Sequence, residues 1–148
     1  MSLSKKILTV VLPAYNEREN VDYLVEAIHK ADVDGQIKRI IYVDDDSPDL
    51  TSEHIKTSQY PIDVLCIHRI GRQGLSSAVV EGILLADTQY VAVMDADGQH
   101  TPDDLMQMLK VAVEEGDQLV IGSRFKNQAI VETHVGLRSL LSKVGNRL

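Results

Sequence analysis

Apolar residues follow two alternating patterns along this chain. Short continuous runs rich in β-branched residues alternate with stripes spaced three and four apart. Ile7-Leu8-Thr9-Val10-Val11-Leu12 is the first run and predicts a strand ended by Pro13. Val21, Leu24, Val25 and Ile28 then fall at i, i+3, i+4 and i+7, the spacing of an amphipathic helix. Residues 37–43 predict a second strand, closed by Asp44-Asp45-Asp46-Ser47-Pro48, and a short helix follows over 51–58. Residues 62–67 predict a third strand. Leu75, Ala78, Val79, Gly82, Ile83 and Ala86 mark a helix of small residues suited to close packing. Residues 90–94 predict a fourth strand. Thr101-Pro102-Asp103-Asp104 then reads as an N-cap, a proline at the first helical position and early acidic residues. Leu105, Met108, Leu109, Ala112 and Val113 give that helix its apolar face. Residues 118–121 predict a fifth strand, followed by Gly122-Ser123-Arg124. Residues 125–134 are polar and mixed and read as a loop. Leu137, Leu140, Leu141, Val144 and Leu148 form a last stripe that runs to the final residue, the ending expected of a fragment of a longer protein.

Strands that are apolar throughout and separated by helices predict an α/β fold, a mostly parallel sheet covered on both faces. In such sheets ligands bind outside the carboxyl ends of the strands. The polar segments 13–17, 44–49, 69–74, 95–100 and 123–126 each follow a predicted strand, so all five are expected at one edge of the sheet.

Composition narrows the function. A length of 148 residues fits one domain with a real core. The net charge of -7 argues against a nucleic-acid partner, whose binding surface would be basic. An acidic protein that handles an anionic ligand needs a metal or a few placed arginines. Cys66 is the only cysteine, so no disulfide framework is possible, and a buried strand cysteine in a reducing, cytoplasmic setting is the simplest reading. No segment approaches the ~20 apolar residues of a membrane span.

The chemistry concentrates at Asp95-Ala96-Asp97. Two carboxylates one residue apart at the exit of a buried strand are costly unless a cation sits between them. Mg²⁺ or Mn²⁺ is commonly held by one or two carboxylates plus substrate phosphates. Gln99 could add an oxygen ligand, whereas His100 is expected to shape the loop. Taken alone, the pair serves equally well as a loop cap ahead of the helix at Pro102. Asp44-Asp45-Asp46-Ser47-Pro48-Asp49 reads two ways together, Asp45 accepting from ribose or base and Ser47 or Asp49 making a turn and cap. In Pro13-Ala14-Tyr15-Asn16-Glu17, Tyr15 could pack on a base or ribose and Glu17 accept from it, although the segment alone reads better as a turn with Asn16 as helix cap. Gly71-Arg72-Gln73-Gly74 alone is a strand-to-helix turn. Arg124 suits phosphate or carboxylate, with a surface ion pair the even alternative. Arg138 alone reads as a solvated helix position. His29, His54, His68 and His134 show no metal-ligand spacing, and no Gly-x-x-x-x-Gly-Lys-Ser/Thr loop is present.

In this order, Leu12-Pro13-Ala14-Tyr15-Asn16-Glu17, Val43-Asp44-Asp45-Asp46-Ser47-Pro48-Asp49, Gly74-Leu75-Ser76-Ser77-Ala78, Met94-Asp95-Ala96-Asp97-Gly98-Gln99-His100 and Gly122-Ser123-Arg124-Phe125 resemble glycosyltransferase family 2, in its dolichyl-phosphate mannose synthase-like branch. The resemblance implies a GT-A fold, a three-layer, Rossmann-like α/β/α sandwich. Residues 1–148 would be its nucleotide-sugar-binding part, with the rest of the domain and any membrane segments beyond 148. The implied reaction moves a hexose from a nucleotide diphosphate sugar of the GDP-mannose or UDP-glucose type to a polyprenyl phosphate, with inversion, at the cytoplasmic face of a membrane. Pro13, Tyr15, Glu17, Val43 and Asp45 would line the nucleoside pocket. Asp95, Ala96, Asp97 and Gln99 would hold Mg²⁺ or Mn²⁺ and the diphosphate, and Arg124 and Arg138 would face the phosphates of donor and lipid acceptor. Asp97 and Arg124 would carry the catalysis. A family 2 enzyme acting on a sugar hydroxyl, or a non-catalytic nucleotide-binding module, are the alternatives. The chain departs from the family pattern at Asp46, where a small residue such as Gly is usual. It departs again at Gly98, where Leu or another side chain is common and a glycine would loosen the metal loop.

Overall fold

The computed structural model describes residues 6–116 and 119–122. In chain order the elements are β1 (Leu8–Ala14), α1 (Arg18–Ala31), β2 (Ile37–Asp44), α2 (Thr51–Thr57), β3 (Val64–His68), α3 (Leu75–Leu84), β4 (Tyr90–Val93) and α4 (Pro102–Glu115). The four strands form one sheet in the order β3-β2-β1-β4, with every neighbouring pair parallel. β1 and β2 are central and almost wholly buried, which is why their sequences are apolar on both faces. β3 and β4 lie at the edges of the described sheet, and their burial alternates or is partial.

Two cores separate the layers. On one face Leu8, Val10, Leu12, Ile40 and Tyr42 pack against Leu24 and Ile28 of α1, Ile55 of α2 and Leu105 and Leu109 of α4. On the other, Val11, Ile41 and Val43 meet Ala78 of α3, with Ile67 alongside. The expected three-layer α/β/α arrangement is therefore present. The small-residue stripe of α3 has a steric cause at Gly82, where an added Cβ would fall well inside contact distance of Val11 Cγ1 and 3.2 Å from Val43 Cγ2.

Several boundaries differ from expectation. β1 does not end at Pro13 but continues to Ala14, pairing Pro13 with Val43 and Ala14 with Asp44. Val11 accepts a hydrogen bond from Met94 through its carbonyl, so Pro13, two residues on, faces the same side. β4 has already ended there, and the missing proline N–H forfeits no ladder bond. β3 starts at Val64 rather than 62. The fifth strand expected over 118–121 is not formed at 119–121, where Leu119 and Ile121 are exposed. A four-residue apolar run specifies no partner, and pairing decides whether it becomes a strand. Gln118 and the stripe after 134 lie outside the described residues. Among the described residues no helix is long and apolar enough to cross a membrane.

Candidate functional site

The carboxyl ends of β1, β2, β3 and β4 all open on one edge of the sheet, because all four strands run parallel. The segments at 13–17, 44–49, 69–74 and 95–100 are gathered there; the fifth, 123–126, lies outside the described residues. Neighbouring strands are about 4.8 Å apart, so the ends of β2 and β4 flank that of β1 at roughly 10 Å from each other.

The loops after β1 and β2 are bonded to each other, and this bonding sets up the first half of the site. Ser47 Oγ accepts the backbone N–H of Asn16 at 2.9 Å, Thr51 Oγ1 that of Glu17 at 3.1 Å, and Asp49 Oδ2 that of Arg18 at 3.1 Å. These N–H groups at the start of α1 have no partner within their own helix, and side chains from the next loop satisfy them. The N-cap of α1 is Glu17, not Asn16, and its own side chain caps nothing. Asn16 is instead in the left-handed region, at φ 59°, which Asn tolerates. Ser47 and Asp49 do make the turn and caps expected of them, but the N-terminus they cap is chiefly that of α1. Asp49 Oδ1 also accepts from Thr51 N–H at 3.0 Å. The N-cap of α2 is Leu50, which carries φ 65° and makes no side-chain cap.

Within this frame Tyr15 is exposed and Glu17 half-buried, while Pro13 is buried against the sheet end. Glu17 Oε2 accepts from Asn20 Nδ2 at 2.7 Å, which orients its carboxylate. Val43 is wholly buried, and its side chain belongs to the core under α3, leaving its main chain at the site edge. Asp44, also wholly buried, accepts from Ser47 Oγ and from Ser47 N–H at 3.3 Å. Asp45 sits at the mouth, 8% exposed, with its N–H donated to Ala14 at 3.0 Å.

Asp46 adopts φ 60°, the backbone reason a small residue suits this position. Its carboxylate accepts from Gly71 N–H at 3.3 Å and from His68 Nε2 at 2.9 Å, tying the β2 loop to the end of β3. The Gly71 N–H, then the His68 bond, hold the Asp46 carboxyl below the usual carboxylate range. Burial opposes ionisation of Asp49, but the bonds donated by Thr51 and Arg18 outweigh it and hold that carboxyl low as well. Burial pushes the Cys66 thiol up, which fits a structural cysteine and not a nucleophile.

The sequence motifs miss one participant. Arg69, at the end of β3, is 1% exposed and bonds Asp45 through Nη1 at 2.8 Å. Its only advance signal is an arginine directly after an apolar run, facing a loop with three consecutive aspartates.

The second half of the site follows β4. Ala96 is buried, so Asp95 and Asp97 on either side of it are turned outward and exposed. Asp97 Oδ1 accepts Gln99 N–H at 2.9 Å, closing a turn in which Gly98 takes φ 72°. An added Cβ at Gly98 would meet nothing within 4 Å, so the glycine answers to backbone conformation and not to crowding. His100 Nε2 lies 3.4 Å from Asp95 Oδ2. Thr101 Oγ1 accepts Asp104 N–H at 3.4 Å, the expected cap of α4, with Pro102 in the first turn. Asp95 and Asp97 present hard oxygen donors, and no group of three His, Cys, Asp or Glu side chains converges on one point among the described residues. Such a set fits Mg²⁺ or Mn²⁺ only if phosphates and waters complete the coordination. Arg124 and Arg138 lie outside the described residues.

The fold is an α/β domain whose parallel sheet gathers two acidic clusters at one edge, where ligands bind in such sheets. The chain belongs to glycosyl transferase family 2, whose model matches residues 9–138, and its fold is GT-A. It is 41% identical over 138 residues to a dolichol-phosphate mannosyltransferase of Pyrococcus furiosus, covering 92% of this chain and 38% of that protein. It is 36% identical to a polyprenol monophosphomannose synthase of Mycolicibacterium smegmatis, covering 93% of this chain and 52% of that one. It thus spans about half or less of the length of both relatives. In fold it resembles a glucosyl-3-phosphoglycerate synthase of Mycobacterium tuberculosis solved with Mn²⁺, UDP and glucosyl-3-phosphoglycerate. The TM-score is 0.56 at 22% identity, over 72% of this chain and 39% of that one.

Proposed function

We propose that this chain is the nucleotide-sugar-binding part of a metal-dependent glycosyltransferase. The whole protein would move a hexose from a nucleoside diphosphate sugar, of the GDP-mannose or UDP-glucose type, to a polyprenyl phosphate at the cytoplasmic face of a membrane, with inversion at the anomeric carbon. The observation that carries this reading is the pairing of two acidic clusters, Asp44–Asp46 after β2 and Asp95/Asp97 after β4, on either side of β1 at one sheet edge. The names of the dolichol- and polyprenol-phosphate relatives support the acceptor class.

In this reading Tyr15 lies against the nucleoside, and Glu17 and Asp45 accept its hydrogen bonds. Pro13 and the Val43 main chain wall the pocket. Asp95 and Asp97 would hold the cation with Gln99, and the Ala96 main chain would lie against the diphosphate. A bound divalent cation would neutralise the diphosphate as it departs. Arg124 and Arg138 would face the phosphates of donor and acceptor. A lipid phosphate is already anionic near neutral pH, so the residues act mainly by positioning and by meeting charge, without a strong general base.

Titration calorimetry of the full-length protein with GDP- and UDP-sugars, with and without Mn²⁺, tests the reading. Metal-dependent binding is expected, with Asp97→Ala weakening it by tenfold or more, about 1.4 kcal/mol or above. Absence of nucleotide binding in any metal would sink it.

A further inference from the structure

Arg69 is the largest fully buried side chain among the described residues, and a buried guanidinium is expensive unless its donors are used. Nη1 donates to Asp45 Oδ1 at 2.8 Å and to the Gly74 carbonyl at 3.2 Å, and Nη2 donates to Ser77 Oγ at 2.5 Å. Nε lies 3.4 Å from Glu81 Oε1 and makes no hydrogen bond. The other oxygen of Asp45, Oδ2, accepts the N–H of Gly74 at 2.7 Å, at the start of α3. Asp45 is thus gripped at both oxygens, once from the end of β3 and once from the mouth of α3. An ionised carboxylate has about four acceptor positions, and these bonds use two of them. Its side chain keeps 12% exposure at the edge of the sheet, so the remaining positions stay reachable.

We propose that Arg69 is the positioning residue of the nucleoside pocket. It fixes the plane of the Asp45 carboxylate so that the unused acceptor positions meet the base edge or ribose hydroxyls of a nucleoside diphosphate. This rests on the nucleoside role proposed for Asp45. The fork geometry matters more than the charge. A lysine would keep the positive charge but could not hold Asp45, the Gly74 carbonyl and Ser77 together in one plane. A residue present only to neutralise Asp45 would support the fold without favouring one end of the ligand.

The test uses the full-length protein and calorimetric titration with GDP and UDP, and separately with inorganic pyrophosphate, all with Mn²⁺. Pyrophosphate reads the cation end alone. Arg69→Lys is expected to weaken GDP or UDP binding about tenfold, the scale of a charged hydrogen bond, and to leave pyrophosphate within twofold. Combined with Asp45→Asn it should weaken binding no further than Asp45→Asn does alone, because the two side chains act as one unit. Equal loss of both probes, no loss of either, or additive effects would overturn the proposal. If Arg69→Lys fails to fold, Ser77→Ala removes the anchor of Nη2. It should give a smaller loss, about threefold, again only for the nucleotides, and an unchanged affinity overturns the proposal. The two readings separate cleanly. If Asp45→Asn weakens the nucleotides and Arg69→Lys does not, only the role of Arg69 falls. If Asp45→Asn changes nothing, or the unaltered protein binds neither nucleotide, the nucleoside role of Asp45 falls with it.

Discussion

Gly82 shows how one missing methyl group sets the distance between a helix and a sheet. Ala is the better helix former by about 1 kcal/mol, so an exposed helical glycine would gain from the change. At Gly82 the new Cβ would press on Val11, a β-branched side chain buried in a central strand with no room to turn. Overpacking of this kind costs about 1–3 kcal/mol. Gly82→Ala is therefore expected to destabilise the protein by up to about 2 kcal/mol net, read as a lower urea midpoint at unchanged m-value. The same scale separates glycines by cause. Gly98 serves a left-handed turn in open space, whereas Gly82 serves a close approach, and the two look alike in the sequence. Asp46 and Leu50 are non-glycine residues held at positive φ. Asp46 has compensating bonds from Gly71 and His68, whereas nothing in the structure explains a leucine at 50.

At the scale of elements, the segment Ser47–Thr51 does two jobs. It turns the chain from β2 into α2, and it caps the N-terminus of α1 through Ser47, Thr51 and Asp49. That second job holds Tyr15 and Glu17 beside Asp45. Asp49 carries an electrostatic share, since its folded-state carboxyl is held below its ordinary value. A depressed carboxyl stabilises the fold above the unfolded-state value, near 4, and that contribution is lost as pH falls through the folded-state value. Asp49→Ala is expected to cost about 1 kcal/mol at pH 7, as the loss of a helix cap does. The gap between variant and unaltered protein should narrow as the pH is lowered below 4, measured by denaturant unfolding at each pH. A gap that stays constant would mean that Asp49 acts without its charge. The elements themselves were legible where the pattern was long. The stripes of α1 and α4, the Thr101 cap and the runs of β1 and β2 follow from periodicity. The end of β1 was not, because whether a proline can stay in a strand depends on which neighbour has already stopped.

For the whole molecule, the decisive fact is that β1, β2, β3 and β4 are parallel, so their loops share one edge. In the proposed reading the cation would be held by Asp95 and Asp97, without a third gathered acidic, His or Cys side chain among the described residues. Metal and nucleotide should therefore bind far better together than apart. Mn²⁺ alone is expected to shift the melting temperature little. Mn²⁺ with GDP or UDP should shift it by more than the sum of the separate additions, with ligand at 100 times its Kd adding about 2.7 kcal/mol. Coupling is reciprocal, so the nucleotide must raise the metal affinity by the same factor, and simple additivity would refute a shared site. The sequence by itself determined the alternation of strand and helix, the acidic clusters at strand ends and their order along the chain. It could do so because side-chain periodicity and turn chemistry are local properties of the chain. The tertiary structure alone decided that Ser47, Thr51 and Asp49 cap a helix some thirty residues earlier in the chain. It also decided that Val43 turns into the core and that Arg69 closes on Asp45. Those pairings depend on which strands lie side by side, and hydrogen bonds between loops follow strand order, not sequence distance.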